Sequence, residues 1–241
     1  MTARRVEPVD GVFNFRDTGG LPAGTGITRA GVLYRSANLA HVTAAGRTAL
    51  GALGVRRIVD LRDDDEVAWE PSLVEGLDVE IVRVPLFLGS VASFFERDVT
   101  LGELYRSLID ESGDRVVEAV RAILAAQPAL VHCTVGKDRT GVVVALLLTA
   151  AGVEVDAVVA DYAATESSLP PERNARVLTY LRRAHPAARN VDELATRAPA
   201  EVMRALLAEI EERHGSVAGY LSAHGLDAGE LAALRGILIA T

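Results

Sequence analysis

The sequence predicts an α/β fold, a mostly parallel central sheet flanked by helices with a helical C-terminal third. Three observations predict it. From Gly31 to His132, short β-branched runs alternate with helix-patterned stretches, and strands separated by helices pair in parallel beneath a helical cover. From Thr140 onward nearly every segment carries a helical pattern. The chain has 241 residues, 49% of them apolar, and a domain of that size buries roughly 70–75% of its unfolded surface.

The elements follow in order. Val32-Leu33-Tyr34 is a short strand. Thr43 N-caps a helix running to Leu53, where Gly54 stops it. Val55 to Leu61 and Val79 to Leu86 are β-branched strands. Apolar residues from Val116 to Ala126 recur at helical spacing until Gln127-Pro128, and Ala129 to His132 is a short buried strand. Val142 to Ala151 is apolar on every side, the mark of a buried helix. Further helices are expected at Val155–Thr165, Pro171–Ala184, Pro199–His214, Val217–His224 and Ala228–Ile239, with Pro171 and Pro199 in first-turn positions.

Bulk properties exclude several function classes. The net charge is −8 and no basic run exceeds a pair such as Arg4-Arg5 or Arg182-Arg183, which excludes general nucleic-acid binding. An anionic substrate must then be drawn by a local positive cluster against the global field. The single cysteine forbids an intramolecular disulfide. Met1 to Phe15 has no apolar core of a secretory signal. The longest apolar run, Val142 to Val153, is far short of the ~20 residues of a membrane span. A cytoplasmic protein is the expectation.

The chemistry lies in Leu130-Val131-His132-Cys133-Thr134-Val135-Gly136-Lys137-Asp138-Arg139-Thr140-Gly141. A strand feeds a seven-residue turn, Cys133 to Arg139, which feeds a helix. Such a turn points backbone N–H groups inward at a helix N-terminus and makes an anion-binding nest. Gly136 gives it the necessary backbone freedom. A sulfur at its base is surrounded by dipoles and a guanidinium that favour thiolate over thiol. The amides of Thr134, Val135, Gly136, Lys137 and Asp138 would hold phosphoryl oxygens in line with that sulfur, and Arg139 offers a planar fork for two of them. Nothing in this chemistry needs a metal or a cofactor.

His-Cys-x5-Arg-Thr, here HCTVGKDRT, resembles the signature of protein-tyrosine and dual-specificity phosphatases, and the fuller HCxxGKDRTG form is similar to their bacterial, atypical branch. Asn14-Phe15-Arg16-Asp17 with Gly19-Gly20, Leu33-Tyr34-Arg35-Ser36, Val59-Asp60-Leu61-Arg62 and the Gly215–Ile239 stretch match that branch in order, from about Glu7 to Ile239. The resemblance implies a single phosphatase domain over 1–241, with a helical lid at about 153–184 covering the active site. It implies a phospho-cysteine intermediate on Cys133, phosphoryl binding by Arg139, a Thr140 hydrogen bond to the thiolate, and His132 supporting the loop from behind.

The general acid is less direct. Common tyrosine phosphatases carry it in a Trp-Pro-Asp loop. Here Pro85-Leu86-Phe87-Leu88-Gly89-Ser90 holds no Asp, and Trp69 is followed by Glu70-Pro71. Asp138 is the candidate, because a carboxyl beside a phosphate dianion is favoured in its protonated form. Its alternative is to cap the helix or pair with an arginine. Lys137 suits a second phosphate or an acidic neighbour on the substrate, or else is a solvated loop lysine. Arg35 and Asp60 follow predicted strands and are assigned to the rim of the substrate site, with ordinary ion pairing as the alternative. Arg16 and Asp17 read as a structural pair, and Asp63-Asp64-Asp65-Glu66 as a solvated acidic turn.

The expected activity is phosphomonoester hydrolysis on phosphotyrosine proteins, with phosphoserine and phosphothreonine as further substrates. The alternative substrate is a phosphoinositide. A non-catalytic phosphate-binding module would lack Cys133 or Arg139, and an arsenate reductase of this type would need further cysteines.

Overall fold

The computed structural model describes residues 8–86 and 91–240, apart from the side chains of residues 91–93. The expectations for Met1–Glu7 and for Phe87–Ser90 lie outside the described residues.

The chain opens with four short strands, β1 (Arg16–Asp17), β2 (Pro22–Ala23), β3 (Gly26–Thr28) and β4 (Leu33–Ser36). Helix α1 (Ala44–Ala52), β5 (Arg57–Asp60), α2 (Asp64–Trp69) and β6 (Glu80–Arg83) follow. Helices α3 (Val91–Glu96), α4 (Leu101–Glu111) and α5 (Gly113–Ala125) lead to β7 (Ala129–His132). The remainder is helical: α6 (Asp138–Ala151), α7 (Val155–Ser168), α8 (Pro171–Ala184), α9 (Val191–Thr196), α10 (Ala200–His214), α11 (Val217–Ala223) and α12 (Ala228–Leu238). A last short strand, β8 (Ile239–Ala240), ends it.

The main sheet has the order β1-β4-β7-β5-β6. Strands β4, β7, β5 and β6 are parallel, and β1 closes the edge antiparallel to β4. Its centre is buried on both faces, as expected of parallel strands under helices. Tyr34, Ile58 and Leu130 pack with Leu50 of α1 on one face. On the other, Leu33, Val59 and Val131 pack with the α4, α5, α6 and α10 side chains. The all-round apolar α6 is the hub of this second layer, with Val142 to Leu148 buried.

The register fixes where the site falls. Ser36, His132 and Asp60 are aligned across β4, β7 and β5, with Arg83 next on β6. The turn after His132 therefore leaves the sheet at the C-terminal edge of its central strand, where open α/β sheets place ligands. A second sheet, β2-β3-β8, ties the N-terminal hairpin to the end of α12.

Candidate active site

Cys133 is the first residue after β7, and α6 begins at Asp138. The backbone N–H of Gly136 donates to Cys133 Sγ at 3.3 Å, so the turn brings this amide onto the sulfur. Gly136 is required there on two counts. Its φ is +72°, and a Cβ would lie 2.2 Å from the Ser36 carbonyl oxygen. Cys133 is buried, only 3% exposed.

Arg139 sits in the first turn of α6, where its guanidinium faces the carboxylate of Glu66. Nη1 donates to Oε2 at 2.5 Å and Nη2 to Oε1 at 2.6 Å. Nη1 also reaches the Leu61 carbonyl at 3.3 Å, and Thr134 Oγ1 donates to Glu66 as well. Burial works against ionisation of Glu66, but Arg139 and Thr134 outweigh it and hold the carboxyl at about 2. Burial likewise works against the Arg139 cation, and Glu66 with the Cys133 charge pushes its pKa further up. Glu66 thus occupies the two Nη groups, and Arg139 Nε makes no hydrogen bond among the described residues.

Of the solvated acidic turn expected at residues 63–66, Asp64 and Asp65 are exposed as expected, and Glu66 departs from it. Asp63 is the N-cap of α2 in a reciprocal capping box with Glu66, and Glu66 then turns inward to the arginine.

Behind the loop is a buried polar network. Asn14, in the left-handed region at φ +57°, donates from Nδ2 to the Val135 and Gly136 carbonyls at 3.1 and 2.9 Å. Arg35 is wholly buried and donates to Gly136 O at 3.0 Å and to Asp161 Oδ2 at 2.6 Å. Arg16 donates to Asp161 Oδ1 at 2.8 Å and to Asn14 Oδ1. Burial of Asp161 opposes its ionisation, but Arg35 and Arg16 outweigh it and keep the carboxyl below the usual range. Two sequence expectations change here. Arg35 does not line the rim; it braces the loop from inside. Arg16 pairs with Asp161 on α7, whereas Asp17 accepts from the Gly19 and Gly31 amides.

Asp60 also lies beneath the rim. It is 2% exposed and bonded to Arg62, with Nη2 to Oδ2 at 2.7 Å. Its other neighbour is His132, whose Nε2 is 3.8 Å from Oδ2, too far to bond. Burial pushes the His132 pKa down despite Asp60, so the ring is neutral. His132 Nδ1 lies 3.2 Å from the Cys133 carbonyl, behind the loop.

Asp138 neither caps α6 nor pairs with an arginine. Its Oδ1 accepts from Tyr105 Oη at 2.9 Å and from Lys137 Nζ at 2.9 Å. Tyr105 also shares a 2.7 Å hydrogen bond with Tyr162, and burial pushes its pKa well up. Lys137 is neither solvated nor open to a substrate. It is 1% exposed, and Nζ donates to the carbonyls of Arg197 at 3.0 Å and Glu193 at 3.3 Å. Thr140 Oγ1 is buried and makes no hydrogen bond among the described residues, so the expected contact to the thiolate is not made in this state.

Asp161 and Tyr105 carry this geometry and were not singled out, and Glu66 was read only as part of a solvated turn. Only Glu66 had a local signal, the Asp-x-x-Glu capping box. Asp161 and Tyr105 come from helices distant in sequence, whose approach to the loop is set by packing.

A sulfur held by a loop amide, with an arginine beside it at a helix N-terminus, defines the cysteine-dependent phosphatase class. A family model described as "Tyrosine phosphatase family" matches residues 7–240. The triple specificity protein phosphatase PtpB of Mycobacterium tuberculosis is 32% identical over 282 aligned residues, covering 97% of this chain and 99% of that protein. A tyrosine-protein phosphatase of Nostoc commune is 33% identical, covering 86% of this chain and 74% of the relative. Among solved structures, P. aeruginosa TpbA in complex with pTyr superposes with a TM-score of 0.40 at 19% identity, covering 76% of this chain and 90% of that one. The chain belongs to the tyrosine phosphatase family, and it is a cysteine-based phosphatase.

Proposed function

We propose that the protein hydrolyses phosphotyrosine on protein substrates, with Cys133 as nucleophile. The observation that carries this reading is the Gly136 amide on Cys133 Sγ, with Arg139 beside it on α6. In the first step the sulfur attacks phosphorus, an S–P bond forms and the P–O bond to tyrosine breaks. The loop amides and the Nε edge of Arg139 take up the charge on the equatorial oxygens. Asp138 gives its proton to the leaving oxygen, and Tyr105 holds that carboxyl in place. In the second step water attacks phosphorus and gives its proton to the Asp138 carboxylate; the S–P bond breaks, phosphate leaves, and the thiolate and the Asp138 carboxyl are restored.

One feature favours phosphotyrosine over a phosphoinositide. Lys137, which would read a second phosphate on an inositol ring, is bonded to α9 and the turn after it. The α7–α9 segment is read as a cover within one domain: Asp161 ties α7 to the loop, and Lys137 ties α9 to it. Such a cover excludes water and shields the thiolate from oxidation.

The test is side-by-side turnover of one peptide carrying phosphotyrosine or phosphoserine, and of soluble inositol phosphates. The phosphotyrosine form is expected to give the highest kcat/KM. A higher value on an inositol phosphate would replace this reading with the phosphoinositide one.

A further inference from the structure

The cations around the loop are nearly all committed. Arg139 holds Glu66, Arg35 and Arg16 share Asp161, Arg62 holds Asp60, and Lys137 lies against Asp138. Arg173, in the first turn of α8, is different. Its guanidinium lies over the Phe13 ring, 5.8 Å from the centroid, next to the Asn14 that bonds the loop. Among the described residues its guanidinium makes one hydrogen bond, from Nη1 to Asn174 Oδ1 at 3.1 Å, and has no carboxylate within ion-pair distance.

The carboxylates whose field reaches it are Asp138 and Glu70. Both are turned elsewhere. Asp138 accepts from Tyr105 and Lys137, and Glu70 accepts from Asn38 at 2.6 Å with His41 at 3.5 Å. Burial pushes the Arg173 pKa down, and the two carboxylates do not fully offset it. A half-buried guanidinium is thus seated on an aromatic face with only an amide oxygen as acceptor. That arrangement preorganises it for an incoming anion. The protein carries a net charge of −8, so an acidic substrate segment depends on a local cation of this kind.

We propose that Arg173 binds a carboxylate side chain flanking the phosphotyrosine of the substrate, so that α8 contributes a specificity subsite for acidic phosphopeptides. This rests on the phosphotyrosine reading above. Arg139 takes the phosphoryl group while Arg173 takes the neighbouring carboxylate by a bidentate contact. Asn174 is displaced, and the Phe13 ring keeps the guanidinium in place.

The experiment compares two phosphotyrosine peptides that differ only in Glu versus Gln at the flanking positions, in wild type, Arg173→Met and Arg173→Lys. The readout is the ratio of kcat/KM for the Glu peptide to that for the Gln peptide. Wild type should prefer the Glu peptide, and the ratio should fall by about fivefold in Arg173→Met, the scale of one partly desolvated ion pair. Arg173→Lys should recover part of it, and added salt should lower the wild-type ratio while leaving that of Arg173→Met flat. A merely structural role would depress both peptides equally and leave the ratio in place, which would overturn the inference. A ratio near one in wild type would overturn it as well. Failure to turn over either peptide, with inositol phosphates hydrolysed, would instead sink the phosphotyrosine reading.

Discussion

Glu66 joins the start of α2 to Arg139, the arginine proposed to bind phosphate. One carboxylate closes the Asp63 capping box, accepts from Thr134 and holds both Nη groups of Arg139. Fixing the fork leaves less of it to be ordered when phosphate arrives, which is the preorganisation a transition-state contact needs. Glu66→Gln should therefore lower kcat/KM by about tenfold or more, and kcat should fall with it. The same pair makes stability depend on pH. The Glu66 carboxyl sits at about 2, below its ordinary 4.5, so its contribution is complete above about pH 4.5 and is lost as pH falls toward 2. Acid titration of the fold should show wild type losing stability over that window and Glu66→Gln losing less. His132 acts in the same direction at higher pH. Burial holds its pKa below the ordinary 6.5, so as pH drops below 6.5 the unfolded chain takes up a proton that the folded one does not, and stability is lost as pH is lowered.

At the scale of elements, α7 is joined to the sheet by one buried carboxylate serving two arginines. Asp161→Ala would strand Arg35, which is wholly buried, and removing one partner of a buried pair costs about 3–5 kcal/mol. Chemical denaturation of the variant should show a loss of that order; one under about 1 kcal/mol would mean Arg35 finds another acceptor. How much of this was legible varies by element. The β7 strand and α8 match their predicted spans, because a short apolar run between Gln127-Pro128 and a turn, and a Pro at the first helical position, are local signals. Helix α4 was not predicted although its Thr100–Glu103 capping box is also local. The small β2-β3-β8 sheet joins residues at opposite ends of the chain, and no local pattern announces such a pairing.

Over the whole molecule, the loop that holds Cys133 and Arg139, the proposed nucleophile and phosphate arginine, was legible because one contiguous motif carries both residues. The surroundings of Asp138 were not, since Tyr105 arrives from α4 through packing. Those surroundings sharpen the test of the acid. If Asp138 protonates the leaving group, Asp138→Asn should lower kcat/KM most on an alkyl phosphate, less on a phenyl phosphate and least on a nitrophenyl phosphate, because poorer leaving groups depend more on receiving a proton. An equal loss on all three would reduce Asp138 to a positioning residue.

The most direct measurement concerns the intermediate. Acid quench of the enzyme during turnover of an aryl phosphate, followed by mass spectrometry of the peptide containing Cys133, should find phosphate covalently bound to that cysteine. The adduct should be absent from Cys133→Ser, whose hydroxyl is a far weaker nucleophile in nearly the same geometry, and activity should vanish with it. Activity within tenfold of wild type in Cys133→Ser, or turnover with the phosphate found on another residue, would contradict the account.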